Sequence, residues 1–185
     1  MPVRASMEYI ITFVRELIHD PAGASQQFSD QQIQDRLDLG RLNLYNHPLC
    51  PKDTRTTGGT IEWHDFFAGY QFWETDYVIQ GSNGTLAPSD VAEPLIGKFH
   101  YNGHTPQPLM ITGKVYNVYG VAGSLITTVI GTLRNSITSW TADGTTVQRL
   151  NQLKTLEDLA KLYAGRAWGW GNTSQVKLVR KDIRN

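Results

Sequence analysis

His64-Asp65, followed by Glu74 and Asp76, places an imidazole and three carboxylates within thirteen residues. Such a set suits acid–base work or a divalent cation. On an extended chain, residues 74 and 76 point to the same side. The same spacing describes the solvated side of a half-buried strand, opposite Trp73, Tyr77 and Ile79, and the residues favour that reading. His100 and His104 have the spacing of half a zinc site, but no Cys or acidic residue stands at ligand spacing to complete it. Cys50 is the only cysteine, which excludes an internal disulfide. Its setting, His47-Pro48-Leu49-Cys50-Pro51, reads as a loop carrying a plain thiol.

Trp63, Phe66, Phe67, Tyr70, Phe72, Trp73 and Tyr77 form an aromatic run. Such a run suits a sugar or base platform, or a core or interface. No basic residues are interleaved, which disfavours nucleic acid and favours the core or interface. The sequence contains neither GxxxxGK[ST] nor GxGxxG, and no GxSxG elbow, so an enzymatic reading has no motif beneath it.

The elements around these residues follow from periodicity. Apolar residues at Met7, Ile10, Ile11, Val14, Leu17 and Ile18 predict a helix over 7–19, ended by Asp20-Pro21-Ala22-Gly23. Ser29-Asp30-Gln31-Gln32 is a capping box, and Ile33, Leu37 and Leu44 share the face of the helix it opens. Residues 46–52, with two prolines, close that segment. Residues 54–112 are rich in Gly, Thr and aromatics and predict a small antiparallel sheet inserted between helices. Its strands are expected at 72–80, 93–101 and 109–112. Turns are expected at Thr57-Gly58-Gly59-Thr60 and Gly81-Ser82-Asn83-Gly84. A long helix is expected over 114–139, a hairpin around Asp143-Gly144, and a last helix through Leu153, Leu156, Leu159 and Tyr163. An extended tail at about 172–185 carries Lys177, Arg180, Lys181 and Arg184, which suit weak phosphate contacts or strand addition to a neighbour.

Residues 115–133 carry no charge. At 100° per residue, one half of the helical circumference holds Val118, Val121, Ala122, Leu125, Ile126, Val129, Ile130 and Leu133, a core face. The other half holds Gly120, Gly123, Ser124, Thr127, Thr128 and Gly131. A solvated helix face normally carries Lys and Glu. This face is small and smooth, and it reads as a candidate subunit interface. Three glycines and five polar residues argue against a membrane span.

The 185 residues fit a single domain with an insertion; 40% are hydrophobic and 18% charged. Lys+Arg and Asp+Glu both number 17. A neutral chain has no bulk attraction to nucleic acid or membrane and little charge protection against association. No targeting segment is expected, since Arg15 and Glu16 interrupt the first apolar run.

The order of these pieces carries a resemblance. Asp20-Pro21-Ala22-Gly23 precedes Phe28-Ser29-Asp30-Gln31-Gln32-Ile33. Then follow Gly58-Gly59-Thr60, Pro94-Leu95-Ile96-Gly97-Lys98-Phe99 and Thr112-Gly113-Lys114-Val115-Tyr116-Asn117-Val118-Tyr119-Gly120-Val121-Ala122. Ala142-Asp143-Gly144 and Leu159-Ala160-Lys161-Leu162-Tyr163 come last. Across nearly the whole chain this resembles the head-to-tail connector, or adaptor, proteins of tailed bacteriophages and prophages. The resemblance implies a mainly helical α+β chain of three to four helices around one long central helix. It implies a homo-oligomeric ring, commonly a dodecamer, in the virion neck. Such a ring binds the portal protein and the next neck or tail component, and continues a channel that touches DNA only non-specifically. It would be made in the host bacterial cytoplasm. No catalytic residue, cofactor or metal is carried over, and no membrane contact is implied. The β-rich insert departs from the simplest connectors. The alternative is a metal-dependent enzyme or carbohydrate-binding module centred on that insert, with His64, Asp65, Glu74 and Asp76 as its site.

Overall fold

A computed structural model describes residues 2–57, 60–85, 88–105, 107–137 and 145–167. The chain begins with a 3-10 turn, Ala5–Met7, and helix α1, Glu8–Ile18, followed by α2, Asp30–Leu39. Six strands follow: β1 (Leu42–Thr57), β2 (Thr60–Phe67), β3 (Val78–Gly81), β4 (Val91–Glu93), β5 (Lys98–His100) and β6 (Leu109–Val115). Helices α3, Val118–Ile137, and α4, Thr145–Arg166, complete the described elements.

Local chemistry sets both ends of the first helices. α1 stops at His19, which turns into the left-handed region at φ 54°. Ser29 caps α2 as expected: its hydroxyl accepts from the Gln32 amide, and the Gln32 side chain accepts from the Ser29 amide at 2.8 Å. The link between the helices is organised by Arg15, which is 5% exposed. Its guanidinium donates to Asp30 at 2.6 Å, to the Phe28 carbonyl at 2.7 Å and to Asp20 at 3.3 Å.

The expectation of a mainly helical bundle with a small β insertion is corrected here. The fold is α+β: the described residues form a six-stranded antiparallel sheet in the order β3-β6-β1-β2-β5-β4 beside four helices. The sheet begins at Leu42, inside the segment assigned to the second helix and its closing loop. β1 is sixteen residues long and changes partner half-way. Leu42 to Leu49 pair with β6, and Cys50 to Thr57 pair with β2. Each half is therefore an edge on its other side, which is where a strand tolerates proline. Pro48 pairs with Met110 and Pro51 with Phe66, although both prolines suggested a loop.

Other boundaries shift for similar reasons. The strand expected over 93–101 is a hairpin. β4 and β5 pair through Glu93 and Lys98, and Gly97 takes a φ of 69° in the intervening turn. The strand expected over 72–80 is only Val78–Gly81, plus an isolated bridge from Trp73 to Val115. The Gly81–Gly84 turn forms, with the Gly84 amide donating to the Gly81 carbonyl at 2.9 Å. Thr57 pairs with Thr60 across the other expected turn, whose two glycines lie outside the described residues. The uncharged stretch is divided: Val115 ends β6, and α3 begins at Val118, with the Asn117 side chain accepting from the Gly120 amide at 3.1 Å. The expected Asp143-Gly144 turn lies outside the described residues, and Thr145–Arg166 is helix, so Thr145 to Val147 do not form the expected hairpin strand.

Three apolar clusters hold these layers together. Met7, Ile10, Ile11, Val14, Ile33 and Leu37 pack against Val118, Val121 and Leu125 of α3, with Phe72 and Tyr116 between helices and sheet. Leu49, Phe66, Trp73, Ile79, Phe99, Leu109, Ile111 and Val115 form the core on the sheet. Ala122, Ile126 and Ile130 of α3 meet Leu153 and Tyr163 of α4.

Candidate functional site

The four residues of the candidate catalytic or metal cluster are distributed over two places. On β2, the His64 Nδ1 lies 3.1 Å from the Tyr101 carbonyl, and Asp65 is engaged by His100 at 2.8 Å and Lys98 at 3.8 Å. Glu74 and Asp76 lie in the chain between β2 and β3. His104 stacks near Trp63, with ring centroids 5.4 Å apart, so His100 and His104 serve different partners. Among the described residues, no group of three or more His, Cys, Asp or Glu is placed to hold a metal ion. Cys50 is exposed. Phe66, Phe72 and Trp73 of the aromatic run are buried in the cores, so they do not form an open platform.

Glu74 corrects the expectation of a solvated pair. It is 0% exposed. Its carboxylate accepts from the Ser6 hydroxyl at 2.6 Å, the Tyr116 hydroxyl at 2.5 Å and the Arg4 Nε at 3.0 Å, with Lys114 at 3.4 Å. Arg4 also forms a two-pronged pair with Asp38 of α2, at 2.7 and 2.9 Å. Lys114 bonds the half-exposed Asp76 as well. Burial alone would raise the Glu74 pKa; hydrogen bonds from Ser6 and Tyr116 and the Arg4 charge outweigh it and hold the carboxyl below its ordinary value. Burial, reinforced by the hydrogen bond to Glu74, raises the Tyr116 pKa. The bond to Asp38 raises that of Arg4. With every side of the carboxylate occupied, this node ties the N-terminal segment, α2, the 68–77 loop and β6 together and leaves no lone pair for a substrate.

Arg4, Ser6 and Tyr116 were not singled out in the sequence. The signal available was Tyr116 itself: a phenol inside an uncharged stretch that becomes buried needs a hydrogen-bond partner.

The smooth face of α3 is divided by its neighbours. A Cβ on Gly120 would meet the Asn117 cap at 2.6 Å, and one on Gly123 would meet Tyr163 and the Ala160 carbonyl of α4 at 3.7 Å. Ser124 accepts from Arg36 at 2.7 Å. Thr127, Thr128 and Gly131 are exposed, and a Cβ on Gly131 would meet nothing within 4 Å. Thr127 donates to the Gly123 carbonyl at 2.8 Å, Thr128 to that of Ser124 at 3.1 Å and Thr132 to that of Thr128 at 3.2 Å. These hydroxyls are turned onto their own helix, so the row makes little demand for outside partners. Lys177, Arg180, Lys181 and Arg184 lie outside the described residues. Among the described residues, no helix is long and apolar enough to cross a membrane.

Compared with known proteins, the chain matches no family model, no curated protein and no solved structure.

Proposed function

We infer that this chain is a structural subunit of the neck of a tailed-bacteriophage virion. In this reading it forms a homo-oligomeric ring, commonly twelve copies, that joins the portal to the next neck or tail component and continues the DNA channel. The observation that carries the reading is the exposed, uncharged row Thr127, Thr128, Gly131 and Thr132 on a helix whose opposite face is core. Rings are built from heterologous contacts, in which one patch of each copy meets a different patch of the next. A small-residue row whose hydroxyls are internally satisfied suits such close approach.

The chain's neutrality suits a lumen along which DNA slides without being gripped. The resemblance in the order of its sequence motifs supplies the neck as the place. Among the described residues, His64 and Asp65 keep different partners from Glu74 and Asp76, which gives the alternative reading centred on these four less support. The test is negative-stain imaging and light scattering of the chain alone and mixed with its portal. Rings on the portal are expected. A chain that stays monomeric with the portal at every concentration tried would sink the reading.

A further inference from the structure

A groove of about 470 Å³ runs along the outer side of α1. Tyr9, Phe13 and Leu95 form its apolar floor, with Glu8 and Glu16 on the rim and Thr75 near one end. Both glutamates are exposed, and neither has a basic partner among the described residues. The Tyr9 hydroxyl is buried with no hydrogen-bond partner, an arrangement native proteins rarely leave standing. An apolar floor, an acidic rim and an unanswered hydroxyl call for an extended segment that is both apolar and basic.

The chain itself carries a segment of that composition. Residues 176–184 read Val-Lys-Leu-Val-Arg-Lys-Asp-Ile-Arg, with four basic residues against one acid. The last turns of α4 lie beside the C-terminal end of α1. The Tyr163 hydroxyl donates to the Leu17 carbonyl at the C-terminal end of α1, at 3.0 Å. Arg166 sits 5.6 Å from the Tyr119 ring centroid, Tyr119 lies 5.6 Å from Phe72, and Phe72 lies 5.6 Å from Phe13 in the groove floor. Eight residues separate Ala167 from Val176, and the nine steps between them reach up to about 30 Å when extended. α1 is about 16 Å long. We propose that the α1 groove is the docking site for the chain's own segment 176–184, with Val176, Leu178 or Ile183 on the floor and the basic side chains against Glu8 and Glu16. This inference stands independently of the neck reading.

Carbodiimide coupling of the full-length chain, as an equal mixture of light and 15N-labelled protein, tests it. Coupling of Lys177 or Lys181 to Glu8 or Glu16 within one chain is expected, falling at about 0.5 M salt as screening shortens. The Lys114–Asp76 ion pair serves as the internal control. If that pair couples while the tail lysines do not, or couple elsewhere, the proposal is overturned. Mixed-isotope products would assign the groove to a second copy and overturn it equally. A Glu8→Gln/Glu16→Gln variant, altered only at exposed positions, should be cut by trypsin after Lys177, Arg180 and Lys181 several-fold faster. An unchanged rate would contradict docking.

Discussion

Tyr116 and Glu74 meet at 2.5 Å in the interior, forty-two residues apart in sequence, with the phenol donating to the carboxylate. The bond joins the segment after β6 to the loop before β3. Through Ser6 and Arg4 it reaches the N-terminal segment. A buried carboxylate is tolerable only while these donors stay in place, and that makes the node sensitive to truncation.

Glu74→Ala should therefore be among the most damaging single changes in the chain. Removing one member of a buried ion pair costs about 3–5 kcal/mol. Tyr116→Phe withdraws one donor while leaving Arg4 and Ser6, and should cost about 1–3 kcal/mol. Urea unfolding midpoints would rank the two. Equal or reversed losses would mean that the node does not depend on the carboxylate.

The same node sets the acid limit of stability. The folded pKa of Glu74 lies below its ordinary value of 4.5. Its contribution is thus fully present above about pH 4.5 and is lost as pH falls through the folded value. Thermal melts from neutral to acid pH should show this loss, and Glu74→Gln, itself less stable at neutral pH, should flatten the acid slope. A variant with an unaltered acid profile would assign the acid sensitivity to other carboxylates.

At the alkaline end the tyrosines act in concert. Burial raises Tyr9, Tyr77, Tyr116 and Tyr163, and pushes Tyr101 up to about 12. Unfolding frees them to ionise near pH 10, so stability is full below that and falls as pH rises through the raised values. Tyrosinate absorbance and loss of circular dichroism should climb together above pH 10. Ionisation of all tyrosines without unfolding would contradict their burial.

Two glycines separate backbone strain from crowding. Gly84 and Gly97 both have positive φ, at 76° and 69°. A Cβ at Gly84 would meet nothing within 4 Å, whereas one at Gly97 would lie 2.0 Å from the Tyr70 carbonyl oxygen. Gly84→Ala should cost about 1–2 kcal/mol for the left-handed backbone alone. Gly97→Ala adds overpacking of about 1–3 kcal/mol. Melting temperatures that fall equally would show that the β4–β5 turn relaxes freely.

On α3, Gly131→Leu should keep or slightly raise monomer stability, since Gly is about 1 kcal/mol poorer than a good helix former. It should also block assembly on the portal. Gly123→Leu pushes against Tyr163 and the Ala160 carbonyl and should loosen α4 from α3. Calorimetry separates the two on the monomer. A Gly131→Leu chain that assembles normally would remove the exposed row from the interface.

What was legible in the sequence was what depends on near neighbours. Ser29 and Gln32 are three residues apart, and their cap forms as read. The core face of α3 buries Val121, Ala122, Leu125, Ile126 and Ile130, because helical period alone places them together. β1 was illegible because proline is a sound loop signal until a strand is known to be an edge, and edges are set by partners sixty residues away. Glu74 looked solvated for the same reason: its cation is Arg4, seventy residues distant. The dispersal of the His64, Asp65, Glu74 and Asp76 set likewise follows from pairings such as Asp65 with His100, which no local spacing announces.

The change of partner along β1 has a mechanical side. Because one continuous backbone belongs to both halves of the sheet, a load applied at β4 and resisted at β3 crosses the Leu49–Cys50 step as tension in covalent bonds as well as through the packed side chains. Hydrogen bonds on either side of that step are sheared as separate sets. The two halves would peel one after the other under force, with the intervening peptide acting as a tether that keeps them in register for re-formation.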